Sequence, residues 1–154
     1  MLKRGFRSYH VILLAGLVAG VLDLTAALVT NGLRGLKPVR LLQVIASGLL
    51  GLDSYKGGLK TAALGVVLHF LIATAAAAVY YAASRMLAFL VRQAIVSGLL
   101  FGIAVYFFMN LVVLPLSAFP HKVSFTLSTL ITGLIVHMLC VGLPISLIVR
   151  RYST

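Results

Sequence analysis

Apolar residues run through this chain in four stretches, each crossed by a thin line of small or polar side chains. Val11 to Leu33, Thr61 to Ala83, Ala94 to Leu116 and Ser124 to Val149 each supply at least the roughly 20 residues that a helix needs to cross a bilayer core. The pattern predicts an all-α integral membrane protein, a four-transmembrane-helix bundle forming one domain over residues 1–154.

The small and polar positions repeat. Gly16 and Gly20 in the first stretch return as Gly98 and Gly102 in the third. Gly65 and His69 in the second return as Gly133 and His137 in the fourth. Residues four apart share a helix face, so each pair marks a stripe suited to close helix packing. Because each copy holds two crossings, both enter the membrane from the same side. The reading is a tandem, parallel two-helix repeat.

The copies differ by an insert. Pro38 to Gly51 is too short to span and carries start and stop signals, proline for a first turn and glycine for an end. Arg40, Gln43 and Ser47 fall on one polar face, which predicts an interfacial or re-entrant helix with its apolar side in lipid or against the bundle.

Composition agrees with a membrane protein: 62% of residues are hydrophobic and 10% charged. The net charge of +11 would suggest nucleic acid in a soluble chain. Here the basic residues flank apolar spans, which points instead to anionic lipid headgroups. Met1 to Ala27 imitates a signal peptide, but the apolar run continues to Val29 and is read as an uncleaved first span. Seven Lys and Arg lie on the side of the termini and six on the other, a small excess that favours cytoplasmic termini.

Asp23, His69 and His137 carry the candidate chemistry, each on the small-residue face of its own span. A carboxylate near the bilayer centre costs about 2.5–3.5 kcal/mol on insertion scales unless neutralised or paired, so the three are expected to form one interior polar cluster. Asn110 is read as a hydrogen bonder between helices. Thr126, Thr129, Gly133, His137, Cys140 and Pro144 form a stripe expected to point inward, with a kink at Pro144.

Two histidines on facing helices also suit bis-histidine haem b, Gly65 and Gly133 making room for the porphyrin edge. A small proton-coupled carrier using Asp23 with the histidines is the third reading. Neither a zinc spacing motif nor a nucleophile with its base, a phosphate loop, a CxxC or paired carboxylates is present. The leading reading is therefore non-enzymatic: an accessory or interaction subunit of a membrane assembly, as a homodimer or within a larger complex.

The segments Gly16 to Asp23, Leu41 to Gly51 and Gly65 to Ala73 together resemble small four-span bacterial inner-membrane proteins of unassigned function. The resemblance implies a fold and an inner-membrane location, and no activity.

Overall fold

The computed structural model describes residues 8–123 and 125–153; Ser124, where the sequence starts the fourth span, lies outside them. Among the described residues there are helices and no strands. In chain order these are α1 (Ser8–Gly32), α2 (Pro38–Leu50), a 3-10 segment (Gly51–Lys56), α3 (Gly58–Met86), α4 (Ala88–Arg92), α5 (Ala94–Leu116) and α6 (Leu127–Ser153). Helices α1, α3, α5 and α6 are long and apolar enough to cross a membrane.

The glycines fix which helices touch. A Cβ on Gly16 would lie 2.6 Å from Thr74 Cα, and one on Gly20 2.7 Å from the Phe70 ring, so α1 rests on α3 where side chains are missing. On the other side, a Cβ on Gly102 would strike the backbone of His137, and one on Gly142 the backbone of Gly98 and Gly102. There α5 and α6 meet backbone to backbone. In lipid the bundle gains from dispersion contact and hydrogen bonding rather than from expelling water, and missing side chains permit that contact. The core is correspondingly built of small residues, Ala15, Ala19 and Ala77 among them, filled out by Tyr80, Ile145 and Val149.

Helix α1 also packs along α6, which leaves α3 and α5 at the two ends of the row. Those two meet at the rings of Tyr80 and Phe101, 5.0 Å apart between centroids, but among the described residues they do not pack along their length.

Prolines reshape both later spans. Pro115 and Pro144 have no N–H, so a regular helix would leave a carbonyl unpaired one turn before each. The chain widens just upstream into π-helical turns, Met109–Val113 and His137–Gly142, closed by Leu114 N–H donating to Met109 O and Leu143 N–H to Met138 O. The break expected at Pro144 takes this form.

Helix α2 runs as the proline and glycine signals suggest, ending where Gly51 adopts φ 59° and donates its N–H to Ser47 O. Its polar face does not stay together. Gln43 and Ser47 are buried: Gln43 Nε2 donates to Gly58 O at 3.1 Å and to Thr61 Oγ1 at 3.4 Å, and Ser47 Oγ donates to Val44 O at 2.6 Å. Arg40 stays exposed, its guanidinium 3.6 Å from the centroid of the Tyr55 ring. A carbonyl oxygen has two lone pairs, so Gly58 O at the start of α3 can accept from the buried amide of α2 in addition to any helical N–H. At its far end α2 is tied to the loop after α5, Ala118 N–H donating to Gly48 O at 2.9 Å.

Two further expectations are corrected. Asn110 Nδ2 donates to Tyr106 O on its own helix at 2.8 Å rather than to another helix. Thr126 and Thr129 are used at the start of α6, where Thr126 is the N-cap and its hydroxyl accepts from Thr129 N–H at 3.4 Å. A helix start leaves N–H groups unpaired, and that need draws these hydroxyls away from the interior.

Candidate functional site

The gap between α3 and α5 is a cavity of about 440 Å³. Helix α2 contributes Val44, Ile45 and Leu49 to its wall. The back wall comes from Asp23 on α1 and from His137 and Val141 on α6. Both π-helical turns face it, through Met109 and Val113 in one and His137 and Val141 in the other. Such turns recur at functional sites because they re-aim side chains that a regular helix would stack.

Asp23, His69 and His137 all line this cavity. His69 Nε2 lies 2.9 Å from Gly20 O and 3.9 Å from Asp23 Oδ2. The first is a hydrogen bond from α3 to α1; the second is beyond hydrogen-bond length and within ion-pair range. Both side chains are mostly buried, at 13% exposure for His69 and 18% for Asp23. His137 is held differently, with Nδ1 2.9 Å from Gly133 O on its own helix and its ring edge-on to Tyr106.

The remaining sequence-predicted residues divide cleanly. Gly16, Gly20, Gly98 and Gly102 lie in the helix seams, whereas Gly65 and Gly133 each receive a neighbour: the Leu42 carbonyl of α2 covers Gly65, and the Tyr106 ring covers Gly133. That removes the room the haem reading needed for a porphyrin edge. His69 Nε2 is also turned to Gly20 and Asp23, so the residues present do not fit the group. Among the described residues no set of three or more His, Cys, Asp or Glu side chains could hold a metal ion.

Sequence reasoning missed Tyr106, Gly142 and the α2 wall. Tyr106 stands four residues after Gly102 and so continues the glycine stripe; that spacing was the available signal.

The geometry sets an expectation for coupling. Asp23→Leu with His69→Leu should destabilise less than the sum of the single changes, by about 0.5–3 kcal/mol, because the two groups share one contact. Asp23 with His137 should be additive within about 0.5 kcal/mol, since His137 is satisfied on its own helix. Double-mutant cycles on purified protein in detergent measure both.

Fold and site define an all-helical protein with four helices fit to span a membrane, arranged around a side cavity with an acid and two imidazoles on its wall. Compared with protein-family models, curated proteins and solved structures, the chain matches none of them.

Proposed function

We propose that this chain is a non-enzymatic, multi-pass inner-membrane protein, an accessory subunit that binds an apolar small molecule in the cavity between α3 and α5. The observation that carries the reading is the cavity itself: a mostly apolar space between two helices that do not close on each other, with a few polar groups, Asp23, His69, Ser117 and His137, on its wall. Ligand sites typically combine such walls with a few oriented polar groups.

A tandem repeat underlies this scaffold. Its support is that seam contacts match between the halves: Gly16 meets Thr74 and Gly20 meets Phe70, while Gly98 meets Gly142 and Gly102 meets Met138. In both halves residues one and five positions after the repeated histidine are among the partners, and in the second half His137 and Ser146 join them. The halves differ where α2 covers Gly65 and a tyrosine covers Gly133. On this reading α2 is an interfacial element that caps the cavity, and the basic residues around it, Arg34, Lys37 and Arg40, meet anionic headgroups.

The ligand reading is tested by native mass spectrometry of protein released from native-lipid discs. A bound small molecule is expected on the unaltered chain, retained by Leu71→Phe on the exposed face of α3 and lost from Ala76→Phe, which fills the cavity. Equal retention by all three would refute it. Both termini are assigned to the cytoplasm from the basic residues at the ends and in the Ser84 to Arg92 linker. Reporters fused after Thr154 should be cytoplasmic and reporters near Asp53 external; the reverse pattern overturns the assignment.

A further inference from the structure

We propose that the cavity selects a lipophilic ammonium, a protonated amine carried on an apolar body, with the Asp23 carboxylate as its counter-ion; this rests on the ligand-binding reading above. The donors and acceptors on the wall point to such a ligand. Four polar side chains line the cavity: Asp23, His69, Ser117 and His137.

His69 Nε2 faces the carbonyl of Gly20. A carbonyl only accepts, so this nitrogen carries a proton, and the neutral form of the ring keeps its lone pair on Nδ1. His137 has the opposite arrangement: Nδ1 faces the carbonyl of Gly133, carries the proton, and leaves the lone pair on Nε2. Ser117 Oγ donates its one proton to Leu114 O at 2.8 Å and accepts from Phe119 N–H at 3.2 Å. Asp23, ionised, is acceptor only. With both rings neutral and Asp23 ionised, every polar side chain on the wall offers lone pairs, and none has an uncommitted proton.

A ligand that satisfies such a wall must bring the protons itself. It should also bring positive charge, because an ionised carboxylate in an apolar surrounding needs a counter-charge, and His69 Nε2 already serves Gly20 and stands 3.9 Å away. The rest of the wall is aliphatic or aromatic apart from the backbone of Gly48, which fixes the body of the ligand as apolar. Anions are rejected by the same carboxylate. Entry from the side between α3 and α5 suits a molecule that partitions into the bilayer.

The test uses full-length protein in zwitterionic nanodiscs, with empty nanodiscs subtracted, and three probes of one shape: 1-naphthylmethylamine, 1-naphthylmethanol and 1-naphthylacetate. Calorimetry at neutral pH should give the amine at least tenfold tighter binding than the alcohol, and no binding of the carboxylate. Asp23→Asn should bring the amine down to the alcohol. Ala76→Phe should abolish both. Equal affinities for amine and alcohol on the unaltered chain, both lost in Ala76→Phe, would overturn the ammonium assignment and leave the cavity reading standing. Absence of binding by all three probes would remove both. The amine-to-alcohol ratio on the unaltered protein decides the question even where Asp23→Asn is too unstable to purify.

Discussion

Gly142→Leu is expected to force α5 away from α6 and to destabilise the protein more than Gly20→Leu, where the neighbour is the Phe70 ring. A Cβ at this position already meets the backbone of Gly98 and of Gly102 on α5, and neither atom can rotate away as a side chain end could. Overpacking commonly costs about 1–3 kcal/mol, and a backbone-to-backbone seam belongs at or above the upper end of that range because the whole helix must move. Gly142→Ala should be intermediate. Gly32→Ala, with nothing within 4 Å of the added methyl, should leave stability nearly unchanged. Thermal unfolding in one detergent measures the series. Equal melting temperatures for Gly142→Leu and Gly32→Ala would show that α5 and α6 do not meet at this seam.

The second large effect is local. Gly65→Leu should detach α2 while leaving the α1–α3 seam intact, because the Leu42 carbonyl occupies the space into which the new side chain must grow. Detachment also separates Gln43 from Gly58 and Thr61, leaving a buried amide and its acceptors to find water or stay unpaired, at about 1–3 kcal/mol. Limited proteolysis should therefore cut the segment between α1 and α3 in the variant at protease levels that spare the unaltered chain. Gly133→Leu serves as comparison. There the neighbour is the Tyr106 ring, which can swing aside, so proteolysis of the α2 segment should not increase.

The legible part of the fold was the part written in spacing. Four long apolar runs and the i, i+4 glycines at Gly16 and Gly98 locate helices and seams, because a helix shows one face every four residues and membrane seams demand small side chains. The proline and glycine at the ends of α2 likewise bound that helix to within a residue. Direction was harder to read. Gln43 and Ser47 look like a water-facing stripe, and only the fold-back of α3 onto α2 after the 3-10 segment turns them inward. Thr126 reads as an interior hydroxyl until the helix start next to it is known.

For the site, sequence indicates that Asp23, His69 and His137 lie on small-residue faces, and the structure brings all three to one cavity wall. What spacing cannot reveal is how each ring is held. His69 crosses to Gly20 on another helix and His137 turns back to Gly133 on its own, although both stand four residues after a glycine. Their neighbours differ as well: the Leu42 carbonyl of α2 lies over Gly65, and the Tyr106 ring over Gly133.

Those two hydrogen bonds give the account its most direct check, solid-state ¹⁵N NMR of histidine-labelled protein in lipid bilayers, with His10 and His121 identified by substitution. Two neutral rings of opposite tautomer are predicted, His69 protonated at Nε2 and His137 at Nδ1, together with a dipolar coupling between His69 Nε2 and ¹³C-labelled Asp23 Cγ, as expected when Nε2 lies 3.9 Å from Asp23 Oδ2. Two rings of the same tautomer, with no coupling between His69 and Asp23, would contradict the acceptor-lined cavity on which the functional proposal stands.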